Sequence, residues 1–207
     1  TLFRSWGAQA ERRDGYSSYI PTAGTEVMRA SEVCTTPSTT AFITSAAATV
    51  LVSVVHPHSL QSLSGKYNSL ACAVVLDNSA SGAHIRFAYR PPAPGTAVGT
   101  PQGAAVGVIP DSSGTAQNLE IPGMAAVRDS EQSCIFNFDA AALTTRLFDG
   151  YNWYSRSVTA FPPVLSRLCI GRSNMDANNY FNGHIRKIIY WPAALGDEEM
   201  EEIISYE

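Results

Sequence analysis

The stretch from Asp149 to Tyr154 has the side chains best suited to bind a ligand. Its sequence, Asp149-Gly-Tyr-Asn-Trp-Tyr154, places three aromatic rings beside an amide and a carboxylate. Sugars are bound by aromatic rings that stack on their C–H faces and by planar polar groups that hydrogen-bond to their hydroxyls. The alternative is that the rings merely alternate between the core and the rim of a strand. We predict a glycan site formed by Asp149, Tyr151, Asn152, Trp153, Tyr154 and Arg172.

The loop after Gly171 is rich in side-chain oxygens. Asn174, Asp176 and Asn178 have the i, i+2, i+4 spacing that begins a calcium loop. The glycine and the closing glutamate of an EF-hand are missing. We predict no cofactor and favour a turn without metal, and a calcium ion held by these three side chains is the alternative.

Common catalytic motifs are absent from the sequence. It contains neither G-x-S-x-G nor HExxH. Three acids at i, i+2 and i+4 could flank a glycosidic bond if they lay on a strand. The only such spacing, Asp197-x-Glu199-x-Glu201, falls in a predicted helix, where the side chains fan around the axis. We therefore favour a non-enzymatic protein, although an active site of dispersed carboxylates stays open.

Charge and hydropathy exclude two classes of partner. The 207 residues include 14 Lys+Arg and 18 Asp+Glu, a net charge of −4, so no basic excess predicts a nucleic-acid partner. The most apolar run, residues 46–55, is about half as long as a bilayer span. We predict no membrane insertion.

The elements that must position these residues are mainly strands. Alternation of apolar and polar residues dominates, and long stretches with helical periodicity are missing. This pattern predicts an all-β sandwich. The best strand candidates are Thr49–Val55, Leu70–Asp77, His84–Arg90, Ser133–Phe138, Arg167–Gly171 and His184–Trp191.

One short helix is predicted at the C-terminal end. It begins near Asp197 with acidic residues in its first turn, where they complement the helix dipole. Its predicted apolar stripe consists of Leu195, Met200, Ile203 and Ile204.

The four cysteines match no zinc motif, and their spacing does not choose among three disulfide pairings. Because Cys72, Cys134 and Cys169 lie in apolar strand-like runs, we favour buried free thiols.

The C-terminal part of the chain resembles concanavalin A-like (laminin-G-like) jelly rolls. The resemblance implies two antiparallel sheets with the helix following the last strand. In addition, a tight turn at 181–183 predicts a positive φ near Gly183. The matching segments are Leu168-Cys-Ile-Gly171, Phe181-Asn-Gly-His-Ile-Arg186, Tyr190-Trp-Pro and Leu195-Gly-Asp-Glu-Glu-Met200.

The N-terminal part resembles a linker found in tail-fibre and other virion proteins of tailed bacteriophages. The matching segments are Gly7-Ala-Gln-Ala-Glu11, Ser17-Ser-Tyr-Ile-Pro-Thr22 and Arg29-Ala-Ser-Glu-Val33. The resemblance implies that residues 1–34 end a preceding module and continue into a linker. Residues 35–207 would then form a complete jelly roll.

Together the two resemblances imply a non-enzymatic module of a phage tail fibre or related appendage, located in the virion. It would bind host-surface polysaccharide or connect fibre segments, as a homotrimer together with other virion proteins. The alternatives are a polysaccharide depolymerase with dispersed carboxylates, and a purely structural or trimerising domain.

Overall fold

The computed structural model describes residues 34–36, 43–55, 71–78, 84–90, 104–110, 116–122, 131–162, 164–171, 181 and 183–206. All of them belong to one compact unit, Val33–Glu207. The division predicted between residues 34 and 35 stays a prediction, and it falls inside the first strand. The described elements are β1 (Cys34–Thr35), β2 (Ala47–Val55), β3 (Ala71–Asp77), β4 (His84–Arg90), β5 (Ala104–Pro110), β6 (Ala116–Pro122), β7 (Glu131–Asp139), β8 (Thr144–Phe148), β9 (Trp153–Ser157), β10 (Arg167–Ile170), β11 (His184–Trp191) and α1 (Asp197–Ser205).

The strands form two antiparallel sheets. The six-stranded sheet has the order β1-β10-β3-β4-β5-β6, and the five-stranded sheet has the order β11-β2-β7-β8-β9. Every adjacent pair of strands is antiparallel. The predicted all-β sandwich with one short C-terminal helix is confirmed. Within the described residues, no helix is long and apolar enough to span a membrane.

The main core lies between the sheets. Val50 and Val52 of β2 point inward beside Phe136 and Phe138 of β7, because alternate residues of a strand share a face. Gly107 of β5 lies against this layer, where an added Cβ would be 2.5 Å from the Phe136 ring. The sheets are therefore packed too closely at Gly107 for any larger residue.

The six-stranded sheet also holds a buried ion pair. Arg167 of β10 donates from Nε to Asp77 Oδ1 at 2.6 Å and from its second guanidinium nitrogen to Oδ2 at 2.8 Å. The Asp77 side chain is fully buried, and its hydrogen bond raises the pKa of Arg167. Because a bidentate pair fixes geometry as well as charge, it fixes the register of β10 on β3.

Buried cysteines on three strands agree with the sequence expectation. Cys72, Cys134 and Cys169 are fully buried free thiols, whereas Cys34 on β1 is exposed. Cys72 and Cys134 pack as small apolar groups, whereas the Cys169 thiol also donates to Asp77 Oδ2 at 3.6 Å.

Helix α1 covers part of the outer face of the five-stranded sheet. We call this region the helix-covered patch: Leu51, Ile135, Phe148 and Met200, with Trp153, Ile189, Trp191, Leu195, Ile203 and Ile204 packed around them. All four residues of the predicted apolar stripe belong to it. The stripe prediction is therefore confirmed.

Polar side chains under the helix fix its approach. Thr49 Oγ1 donates to Ala193 O at 2.9 Å and accepts from Leu195 N at 3.0 Å. Asn137 Nδ2 donates to Thr49 Oγ1 at 3.0 Å and to Leu195 O at 3.1 Å. Both side chains are buried, so these bonds satisfy the polar groups of the segment that leads into α1.

The start of β11 corrects one expectation. Among the described glycines only Gly150 and Gly171 have a positive φ, so the positive φ predicted near Gly183 is not at Gly183 itself; Asn182 lies outside the described residues. Gly183 is instead a close approach: an added Cβ would lie 2.8 Å from the carbonyl oxygen of Val55 and 2.8 Å from the ring of Phe181. Glycine is required there by space rather than by backbone conformation.

Candidate glycan-binding surface

The turn between β8 and β9, Asp149–Asn152, is held by its own aspartate. Asp149 Oδ1 accepts from the backbone N–H of Tyr151 at 2.9 Å and from that of Asn152 at 2.7 Å. Gly150 has φ +93°, a conformation that L side chains rarely adopt. An Asp-Gly pair supplies both requirements of such a turn. The turn is therefore locally well determined.

The turn also lies against the end of the helix. An added Cβ on Gly150 would be 3.3 Å from Ile204 Cγ2, so the backbone of the turn packs on the last turn of α1. The helix C-cap, Tyr206, is 81% exposed. Two exposed tyrosines, Tyr151 and Tyr206, are thus carried by segments in contact.

Tyr151 is the most exposed large apolar side chain in the described part of the chain. It is 92% exposed, whereas its backbone N–H is bonded to Asp149. Asn152 is exposed beside it, and its Nδ2 makes a long bond of 3.4 Å to Asp149 Oδ2. The turn therefore presents a ring and an amide to solvent on a fixed backbone.

Trp153 serves the helix-covered patch. Its ring stacks on Phe148 with the centroids 4.2 Å apart and the planes 14° from parallel. Its indole Nε1 donates to Glu201 Oε1 of α1 at 3.0 Å. One ring face and the only polar atom of the side chain are therefore already used inside the protein.

Tyr154 points to the opposite side of β9. It pairs with Leu147 and packs against the inter-sheet core. Trp153 and Tyr154 thus alternate between the two faces of the strand, as the structural alternative predicts, while Tyr151 lies on the exposed turn. The glycan-binding roles predicted for these residues stay predictions.

The Cys134 thiol lies near the turn and is neutral. Burial is the main cause that raises its pKa, and the negative charge of Asp149 raises the pKa further.

The acids of α1 have separate structural contacts, as expected for residues that fan around a helix. Asp197 pairs with Arg146, Glu199 Oε2 accepts from Gly196 N at 2.7 Å, and Glu201 accepts from Trp153.

The other predicted site residues, Arg172, Asn174, Asp176 and Asn178, lie outside the described residues. In the ranges that are described, no group of three His, Cys, Asp or Glu side chains could hold a metal ion.

Sequence reasoning missed a basic cluster at the start of β11. His184, Arg186 and Lys187 are all exposed. Three basic side chains within four residues, in a chain of net charge −4, were the available signal. The alternation rule hid it, because a regular strand would turn Arg186 and Lys187 to opposite faces.

Comparison with known proteins identifies the fold. No family model matches the chain, and no curated protein sequence does. Among solved structures, the CBM40 carbohydrate-binding module of the Ruminococcus gnavus IT-sialidase, bound to α2,3-sialyllactose, has a TM-score of 0.57 at 13% identity. It covers 76% of this chain and 82% of that one. The chain has a concanavalin A-like, laminin-G-like jelly-roll fold.

Two further structures support this assignment. The heptameric SAP-like pentraxin of Limulus polyphemus has a TM-score of 0.54 at 8% identity, covering 76% of this chain and 69% of that one. Domains LG4-5 of the mouse laminin α1 chain have a TM-score of 0.54 at 9% identity, covering 80% and 40%. At these identities the likeness establishes the fold and leaves ligand and site to be argued from this chain's own residues.

Proposed function

We propose that this jelly roll is a non-enzymatic glycan-binding module that uses the Asp149–Asn152 turn as a contact site. The observation that carries the proposal is Tyr151, a ring 92% exposed on a backbone fixed by Asp149. A rigid aromatic side chain binds at low entropic cost, because only two side-chain torsions must be ordered. Asn152 adds an exposed amide that suits sugar hydroxyls.

The structural neighbours support the same class of ligand. Both the sialidase module and the laminin domains share the fold, and the sialidase module is bound to a sialylated lactose. Fold alone does not imply function, so this support is an analogy added to the geometry of the turn.

We extend the proposal to a phage tail fibre or related virion appendage, with host-surface polysaccharide as the ligand and a homotrimeric fibre as the assembly. The support is the resemblance of segments within residues 7–33 to a linker of virion proteins, and these residues lie outside the described ones. The low content of charged side chains, 15%, also suits a particle protein exposed outside the cell.

A glycan array with matched variants tests the binding proposal. Tyr151→Ala should weaken binding by about tenfold or more, as for a central aromatic contact. Tyr151→Phe, which keeps the ring, should retain most of the affinity. Leu143→Ala is the control. Leu143 is an exposed residue in the turn before β8, at the other end of that strand from the Asp149–Asn152 turn, and its variant should bind as wild type.

Binding that survives Tyr151→Ala would remove the turn as the site. No binding to any glycan would overturn the function. A trimer in analytical ultracentrifugation that Tyr151→Ala converts to monomer would favour the structural, trimerising alternative, since Tyr151 would then be a subunit contact.

A further inference from the structure

The start of β11 carries a cationic surface that the turn does not explain. His184, Arg186 and Lys187 lie within four residues and are all exposed, whereas Ile185 between them packs against the inter-sheet core. β11 is the last strand of the described five-stranded sheet on this side, beyond β2.

A β-bulge puts the charges on one side. In the ladder with β2, Ile185 is opposite Val54 and Lys187 is opposite Ser53, so Arg186 is an extra residue without a counterpart. Both residues of a bulge face the same side of the sheet, because the extra residue interrupts the alternation. If Arg186 instead paired as an ordinary residue of a regular strand, Lys187 would share the core-facing side with Ile185.

This side is the outer one. Ile188 and Tyr190 pack on the inter-sheet core, which places Lys187 and Ile189 on the opposite face. Within the part of the chain that the structure describes, His184 and Arg186 make no ion pair. The nearest acid along the same row is Glu131, across β2 from His184, and it accepts a hydrogen bond from Ser53.

We propose that this bulge, His184 to Lys187, recognises the anionic group of an acidic sugar, a carboxylate or a sulfate. The proposal rests on the glycan-binding function above and names its ligand class. Arg186 presents a planar fork that fits a carboxylate or sulfate, and Lys187 beside it adds positive charge to the same side of the strand. The acidic helix α1 would repel such a ligand elsewhere on this face, whereas the bulge attracts it.

The arrangement suits an oligosaccharide better than one sugar. The β8–β9 turn and the start of β11 lie at the same end of the five-stranded sheet, where β2 ends. β11 and β8 are separated by three strand spacings, about 14 Å. A single ring cannot touch both, so neutral and acidic contacts can be separated by mutation.

The test is calorimetric titration with 3′-sialyllactose, a sulfated lactose and plain lactose. Wild type should bind at least one acidic probe about tenfold more tightly than lactose, the scale of one charge-assisted hydrogen bond. The two acidic probes distinguish carboxylate from sulfate. Raising the salt concentration should reduce the acidic preference and leave lactose binding unchanged.

The double variant Arg186→Gln/Lys187→Gln should abolish the preference while keeping lactose affinity. Arg156→Gln is the matched control: Arg156 is an exposed arginine on β9, at the other edge of the same sheet, bonded to Asn118 O. It should retain the preference.

Equal binding of lactose and both acidic probes by wild type would overturn this inference and leave the glycan-binding function intact. So would a preference that survives the double variant. Self-association of that variant with its preference retained would show that the charges only protect an edge strand. Failure of every probe would overturn this inference, and absence of binding across the glycan array as well would overturn the proposed function.

Discussion

Trp153 and Tyr151 are two residues apart and have opposite surroundings. Trp153 stacks on Phe148 and is bonded to Glu201, so it belongs to the helix-covered patch. Tyr151, on the turn just before β9, is almost wholly exposed. The difference shows that aromatic composition does not separate a residue that holds the fold from one that is free to bind. The position of the residue relative to the end of the strand separates the two cases. Side chains within the strand alternate between its two faces, whereas side chains on the turn extend into solvent.

The largest loss of stability is expected for a substitution in the helix-covered patch. Met200→Ala removes a fully buried side chain from contact with Leu51, Ile135 and Phe148. We expect the free energy of unfolding to fall by about 2–5 kcal/mol, measured by urea denaturation. Met200→Leu, similar in volume, should cost under about 1.5 kcal/mol. Equal losses for the two variants would mean that the cavity is not the cause.

The polar anchor under the helix comes next. Asn137→Ala removes the hydrogen bonds to Thr49 and Leu195. Because the partners are left buried, we expect a loss of about 1–3 kcal/mol in the same denaturation experiment. Hydrogen exchange should speed up in α1 first. Unchanged exchange in the helix would contradict the role given to Asn137.

The indole bond of Trp153 should matter less. Trp153→Phe keeps a ring on Phe148 and removes the donor to Glu201, so we expect a loss of about 0.5–1.5 kcal/mol. Glu201→Gln retains an acceptor and should cost less. If Trp153→Phe left stability unchanged but abolished glycan binding, Trp153 would be a ligand contact, and the contrast drawn between Trp153 and Tyr151 would be wrong.

Tyr151→Ala should have the smallest effect on stability, within about 0.5 kcal/mol, because the side chain makes little contact with the protein. Its thermal unfolding should match wild type while its glycan binding falls. A stability loss as large as that of Asn137→Ala would show that the ring packs on the protein in solution.

Sequence pattern was sufficient to predict the helix and six of the eleven described strands. The continuous apolar run of β2 and the stripe from Leu195 to Ile204 both indicate burial, and burial determines where strands and helices lie. The fate of Trp153 was not predictable, because its partners Phe148 and Glu201 come from other elements. The role of Gly183 was not predictable for the same reason, because the Val55 carbonyl that excludes a side chain there is distant in sequence.

The common orientation of the basic residues His184, Arg186 and Lys187 could be predicted only with knowledge of how β11 pairs with β2. Nothing local in His184-Ile-Arg-Lys187 shows that Arg186 is the extra residue, since the shift appears only in the ladder with β2.

The bulge in β11 has a consequence for insertions and deletions. With Arg186 deleted, the remaining residues alternate regularly: Ile185, Ile188 and Tyr190 face the core, and Lys187, Ile189 and Trp191 face outward. A one-codon deletion, which would normally reverse every following side chain in a strand, should here leave the packing of β11 unchanged. The strand can therefore accommodate one residue more or fewer at this point while the core stays the same.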